Sequence, residues 1–396
     1  MSSVVTSRAF VVLGSSSTAL ALGRRVLADG GRGIHVDTED HPGGIATRSR
    51  VWAERHREPR GPEALVLLLR LGAEHEGPAK PFLLGTGDED LWFIVENRAA
   101  LDARFDVLHP SNDALVTCLD KARFQRFCDA RGLPAPASFV CRADPVEIRQ
   151  EVRPSALPLV ARLASRSRGR HEFPKMVRLN AWADVDALID LLPSIARPDD
   201  ELLFSESLLH HDLVRYSVAF CRARGSHLAF EAVKERPAAV TGQVGTYVTL
   251  TEAPEARALT LRAAEALDYY GIGEMEVFHD RSSGRHYAIE VNARPWTQLG
   301  MDSLAGLDFL GFLAGRGPGI VGRPQPGAAW IDLVGDLYWR HSRSARRDGS
   351  ASRDPAYLRS LTRVRAFKLF AIADPLPAVV ECARWLRQTL GRRSPP

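Results

Sequence analysis

Two short apolar strands that carry carboxylates constrain this chain more than anything else in it. Gly273-Glu274-Met275-Glu276-Val277-Phe278 and Tyr287-Ala288-Ile289-Glu290-Val291-Asn292 each read as a strand, with Asp280-Arg281-Ser282-Ser283-Gly284 as the hairpin turn between them. Period two places Glu290 and Asn292 on one face of the second strand. Pairing His279 with Tyr287 sets Glu276 opposite Glu290, where two carboxylates repel and destabilise the sheet. A solvated hairpin tolerates such acids. Here the flanking Met275, Val277, Phe278, Ala288, Ile289 and Val291 are apolar, so the strands read as central and their acids need a reason. A hard cation supplies one. Mg²⁺ held by Glu276, Glu290, the Asn292 amide oxygen and nucleotide phosphates is a consistent coordination set. Arg294, two residues on, faces the same place and suits an anionic oxygen.

The chain begins as α/β. Ala9-Phe10-Val11-Val12-Leu13 reads as a buried strand, Gly14-Ser15-Ser16-Ser17-Thr18 as a turn, and Leu20, Leu22, Val26 and Leu27 mark a helix. Ile34-His35-Val36 is a second strand. A full GxGxxG is absent, so Gly14-Ser15-Ser16 reads as a tight strand-to-helix turn with serine caps rather than a dinucleotide loop. Ala64–Leu69 and Pro81–Thr86 continue the alternation, with Phe82-Leu83-Leu84 as the third strand. Residues 1–109 therefore form one doubly wound domain in this reading. From Asp120 the texture shifts to a mixture of strands and helices reaching about residue 317. Residues 317–327 are rich in Pro and Gly and read as a linker, which sets 318–396 apart as a C-terminal extension.

Length and composition remove other classes. A chain of 396 residues implies two or three packed units. No run of about 18 apolar residues occurs, so no membrane span is expected, and the first residues lack the pattern of a secretory signal. Five scattered cysteines without a CxxC fit a reducing, cytoplasmic setting. Lysine supplies only five of the 52 basic residues, and acids are interleaved throughout. That argues for an arginine-rich coding bias and against a nucleic-acid partner. Basic and apolar residues in the terminal helix Ala378–Leu390 leave a membrane-surface role as an alternative to simple docking.

Taken in order, the motifs resemble the ATP-grasp superfamily over most of the chain. Asp120-Lys121 followed by Gly132-Leu133-Pro134-Ala135-Pro136, then Pro158-Leu159-Val160-Ala161-Arg162, then Leu202-Leu203-Phe204-Ser205-Glu206, then Gly273–Phe278 with Ile289–Arg294 carry the likeness. Asn292-Ala293-Arg294-Pro295-Trp296 with Ala305-Gly306-Leu307-Asp308 is similar to stand-alone carboxylate–amine ligases of the D-aspartate ligase type. The resemblance implies an N-terminal pre-grasp domain (1–109), a two-lobed ATP-grasp domain (110–317, lid about 137–205) and the extension 318–396.

It also implies residue roles. Glu276, Glu290 and Asn292 would hold one or two Mg²⁺ ions, with Mn²⁺ as a substitute. Lys121, Arg162 (where the family usually has lysine) and Lys175 would meet the phosphates of ATP, Glu206 the adenine hinge and Asp212 the ribose. Arg294 would stabilise the transferred phosphoryl group, and Lys234 and Arg236 would contact substrate or phosphate.

The implied activity joins a small-molecule carboxylate to an amine through an acyl phosphate, releasing ADP and phosphate. Bicarbonate-dependent carboxylation, carbamoyl transfer and a non-catalytic nucleotide-binding subunit stand as alternatives. The Ser165–His171 loop would close over the triphosphate and Gly242–Thr246 would offer backbone donors. The general base is left open among His171, His210, His211 and His279, and the extension is either a wall of the acceptor pocket or a homodimer interface.

Overall fold

The computed structural model describes residues 8–39, 44–75, 77, 79–153, 157–165, 173–208, 212–237, 245–341 and 355–391. The first strand, β1 (Ala9–Leu13), is apolar throughout and fully buried, so both of its faces must be covered. Ala9, Val11 and Leu13 point into a core built with the helices Pro62–Glu74 and Asp88–Arg104. Phe10 and Val12 point into a second core under the helix Ser17–Ala28. This is the doubly wound domain expected from the sequence. β2 (Arg32–Asp37) and β3 (Glu54–Arg57) lie on one side of β1, with β4 (Phe82–Gly85) and β5 (Asp106–Val107) on the other, all parallel. The edge strands β3 and β5 were not expected, because Glu54-Arg55-His56-Arg57 and a two-residue strand carry no hydrophobic signal. Ala64–Leu69 lies inside a helix. Gly14 turns at φ +94°, and a Cβ there would sit 2.5 Å from Thr86 Oγ1, so the turn into the helix requires glycine.

A separate lobe follows. β6 (Ser138–Arg142), β7 (Leu159–Leu163), β8 (Val177–Leu179) and β9 (Glu201–Glu206) pair in the order β6-β9-β7-β8. Cys141, Leu159, Ala161, Leu202 and Phe204 pack beneath Val185, Leu188 and Leu192 of the helix Trp182–Ile195. This core is distinct from the two described above.

The largest sheet runs β14-β13-β10-β11-β12-β15-β16. Its strands are β10 (Leu213–Ala223), β11 (Ser226–Pro237), β12 (Gly245–Thr251), β13 (Gly271–Asp280), β14 (Arg285–Asn292), β15 (Ala329–Ile331) and β16 (Val364–Phe367). β10 repeats the logic of β1. Val218 and Phe220 face the helix Pro254–Ala266, and Ala219 and Cys221 face Phe309 and Leu310. Both cores are therefore continuous with those of the first domain. Two strands of the segment beyond residue 317 join this sheet, since β15 pairs antiparallel with β12 and β16 parallel with β15.

Arg236 locks the join. Its guanidinium makes bonds of 2.7 and 3.1 Å to Asp336, a third of 2.9 Å to Ser360 Oγ, and stacks 3.8 Å from the Tyr247 ring. Among the described residues, no helix is long and apolar enough to cross a membrane. All five cysteines are free.

Candidate active site

The three bodies meet at a cleft of about 320 Å³. Its floor is the carboxylate hairpin. In β13, Met275 and Val277 turn into the core, which sends Glu274, Glu276 and Phe278 to the cleft. The expected pairing of His279 with Tyr287 is off by one, for His279 faces His286. A bulge then leaves Ile289 unpaired, and Glu276 falls opposite Glu290 after all. The bulge also turns Ile289 into the cleft beside Glu290.

Lys234 reaches this floor from β11. Its Nζ lies 3.0 Å from Glu276 Oε1 and 3.3 Å from Glu274 Oε1. Glu274 also accepts bonds of 2.6 Å from Ser217 Oγ and 2.6 Å from Asn292 Nδ2. The Asn292 Oδ1 is thereby left toward Arg294, at 3.3 Å from its guanidinium. Burial alone would raise the Glu274 carboxyl, but Lys234 and the Ser217 and Asn292 donors bring it below the usual range. Burial pushes Glu276 up, Glu290 and Glu274 add to that, and Lys234 offsets only part. Burial opposes the charge on Lys234, yet Glu274 and Glu276 hold its ammonium well above the ordinary range.

The back wall comes from the first domain. Arg294 Nε donates to Asp88 Oδ1 at 2.7 Å, across 206 residues of sequence. Asp88 opens the helix Asp88–Arg104, so its carboxylate stands where a helix favours negative charge. Its side chain is 63% exposed, so the raising effect of burial is small, and Arg294, with Lys121 and Lys175 further off, holds it below the usual range. Lys121 is the first residue of the helix Lys121–Ala130, behind the Asp120 cap, and its backbone N–H donates to Ala164 O at 2.8 Å. That bond ties the helix start to the end of β7, which carries Arg162. Arg162, Lys175, Arg178 and Glu206 line the cleft from the second lobe, and Arg215 lines it from β10.

Of the residues singled out in the sequence, the cleft gathers Lys121, Arg162, Lys175, Glu206, Lys234, Glu276, Glu290, Asn292 and Arg294. It does not gather Asp212, whose side chain is 68% exposed and 3.9 Å from Arg281. Arg215, three residues on in β10, lines the cleft instead. Arg236 is turned the other way, into its ion pair with Asp336, because the β11–β12 ladder slips between Lys234 and Arg236. His279 stacks on His286 at 4.2 Å, off the cleft. Residues 166–171 of the Ser165–His171 loop, residues 242–244 of the Gly242–Thr246 loop, His210 and His211 lie outside the described residues.

Glu274 could have been found, since period two puts it beside Glu276. Asp88 could not, because nothing local to it points across to Arg294.

The oxygen donors suit a hard cation. Glu276 and Glu290 face each other with too little positive charge between them, and the Asn292 oxygen is left to the same side. Among the described residues, no group of three or more Asp, Glu, His or Cys side chains is arranged to hold a metal alone. Phosphate oxygens of a nucleotide would have to complete the shell.

His109 fixes this corner from behind. Its Nε2 accepts from Gly85 N at 2.8 Å and its Nδ1 faces Ala293 O at 3.3 Å, so a neutral ring bridges β4 to the residue between Asn292 and Arg294. Burial pushes its pKa down to about 3. The unfolded chain takes up this proton as pH falls below the ordinary 6.5, while the folded chain refuses it until about 3. Stability is therefore full above pH 6.5 and is lost on the way down, by about 2 kcal/mol at pH 5. Urea unfolding at pH 7 and pH 5 should show that loss in the wild type. It should shrink by about that amount in His109→Asn, and an unchanged pH dependence would refute the assignment.

No family model matches the chain, and no curated protein does. Solved structures do. The chain is similar to an N5-carboxyaminoimidazole ribonucleotide synthetase in complex with ADP, at 14% identity and TM-score 0.65, over 88% of this chain and 87% of that one. It is similar to the N5-carboxyaminoimidazole synthetase of Staphylococcus aureus complexed with ADP, at 13% identity and TM-score 0.61, over 82% and 80%. It is also similar to the biotin carboxylase domain of a Hydrogenobacter thermophilus 2-oxoglutarate carboxylase with MgADP, ADP and bicarbonate, at 14% identity and TM-score 0.61, over 81% and 73%. With a first domain of parallel sheet, a second lobe with its own core and a large, mostly antiparallel sheet, and with these likenesses spanning most of its length, this protein has the ATP-grasp fold.

Proposed function

We propose that the protein is an ATP-dependent ligase that forms a carbon–nitrogen bond from a carboxylate and an amine. The observation that carries this is the opposition of Glu276 and Glu290 in a cleft rimmed by Lys121, Arg162, Lys175 and Arg294. In this reading the lysines and Arg162 hold the triphosphate, and the backbone around Glu206 receives the adenine. Glu276, Glu290 and Asn292 would hold Mg²⁺, which neutralises charge on the transferring phosphoryl group.

A carboxylate oxygen of the substrate attacks the γ-phosphorus, the bond to the β-bridging oxygen breaks, and ADP leaves. The nitrogen of the amine then attacks the acyl carbon, phosphate departs with the bonding pair, and the amine proton passes to solvent. Arg294, held by Asp88, stands to meet negative charge on the transferred group. Closure of the lid keeps water from the acyl phosphate.

A second reading takes bicarbonate as the carboxylate, and it is favoured by a similar structure whose ligands include MgADP and bicarbonate. One experiment separates the two: ADP and phosphate release from Mg-ATP against a matrix of amino acids, small carboxylates and bicarbonate, beside Glu290→Ala. Release that needs one acid and one amine supports the first reading, and release that needs bicarbonate with an amine supports the second. The variant should lose release by a factor of about 10³ or more, of the size that removing a transition-state charge partner costs. Release that survives in Glu290→Ala would refute the assignment of the floor.

A further inference from the structure

We propose that Lys234 is a resident cation that takes the place of a second divalent ion, so that the cleft binds one metal ion with each nucleotide. The inference rests on the reading of the cleft as a nucleotide–metal site. Lys234 Nζ sits between Glu276 and Glu274, at 3.0 and 3.3 Å, with only 12% of its side chain exposed. Its stem is confined, for a Cβ on Gly245 would lie 3.2 Å from Lys234 Cγ.

Glu274 is what keeps it there. One Glu274 oxygen takes Ser217 and Lys234, and the other takes Asn292 Nδ2. Three protein donors occupy most of its lone-pair sites, about four in a carboxylate, so Glu274 serves first as an anchor for Lys234. The oxygens left for a metal are the second oxygen of Glu276, the carboxylate of Glu290 and Asn292 Oδ1. With two or three phosphate or water oxygens these fill one octahedral shell.

The charges agree. Of the side chains around Lys234, Glu274, Glu276 and Glu290 carry three negative charges and Lys234 returns one, while Arg294 is matched by Asp88. The remainder matches a single divalent cation. A second ion would have to share Glu276 with an ammonium already 3.0 Å from it, and like charges at that separation repel strongly in a buried site.

The test is a Mn²⁺ titration followed by the electron paramagnetic resonance signal of the free ion. The full-length chain is saturated beforehand with a non-hydrolysable ATP analogue. The wild type should retain one Mn²⁺ per bound analogue, and Lys234→Met should retain two. Two Mn²⁺ in the wild type would overturn the inference, and so would a count of one in both proteins. Bound analogue with no retained Mn²⁺ would overturn the metal reading beneath it. If Lys234→Met fails to fold, the wild-type count decides.

Discussion

Replacing Arg294 with alanine is expected to cut turnover by a factor of 10² to 10³ while changing nucleotide affinity only several-fold. The magnitude is that of deleting one fixed donor to charge that develops during reaction. The split between rate and affinity follows from position. Arg294 is held at one end by Asp88, from another domain, and lies beside Asn292 Oδ1 at the other. It therefore lies toward the carboxylate floor, away from Val160, Glu206 and Leu208, where the proposed function puts the adenine. Arg294→Lys should recover little, since a compact ammonium lacks the planar fork that reaches Asp88 from one nitrogen and the cleft from another. Steady-state kinetics beside equilibrium binding of a non-hydrolysable analogue reads both quantities. A variant that loses affinity and keeps its rate would mean that Arg294 grips the ground-state nucleotide.

Asp336→Ala is expected to be the most destabilising single change, at about 3–5 kcal/mol, the usual cost of leaving a buried charge without its partner. The Asp336 side chain is 0% exposed. It receives Arg236 through two bonds, Thr246 Oγ1 at 3.0 Å and Tyr357 OH at 3.0 Å. Its loss strands the guanidinium of Arg236 beneath Tyr247. Denaturant midpoints of Asp336→Ala, Arg236→Met and the double variant close a cycle. The double variant should be less damaged than the sum of the singles, because it removes both charges. A single-variant loss below about 1 kcal/mol would contradict the burial on which the argument stands.

How much was legible in the sequence follows from where each signal lay. The carboxylate floor was legible because its chemistry is local. Glu276, Glu290 and Asn292 lie within 17 residues, and alternation puts Glu290 and Asn292 on one face while the hairpin register brings Glu276 to them. The pairing of Glu276 with Glu290 was right for a reason that was not. A bulge at Ile289 makes up for a one-residue slip at His279, and no sequence pattern marks that bulge. The edge strand β3 was invisible because Glu54-Arg55-His56-Arg57 has no apolar face to announce it.

Arg236 and Lys234 look equivalent in sequence, two residues apart and both basic. The irregular β11–β12 ladder sends one to the fold and the other to the cleft. Asp88 and Arg294 met only because two domains did, which is tertiary information. Asp212 was placed at the ribose by motif order, whereas its exposed side chain turns to Arg281.

The late arrival of β15 beside β12 bears on how the chain is made. Thr251 ends β12 and Ala329 begins β15, a gap of roughly 80 residues, or on the order of ten seconds of translation at about 5–20 residues per second. For that interval β12 emerges with one row of N–H and C=O groups unpaired, an edge open to any neighbouring nascent chain. The large sheet can close only when synthesis is almost complete. The first domain and the second lobe, whose strands find their partners within shorter stretches, can settle while the ribosome is still at work. Slow decoding before residue 329 would prolong the exposure of that edge, and a stop near residue 317 would make it permanent.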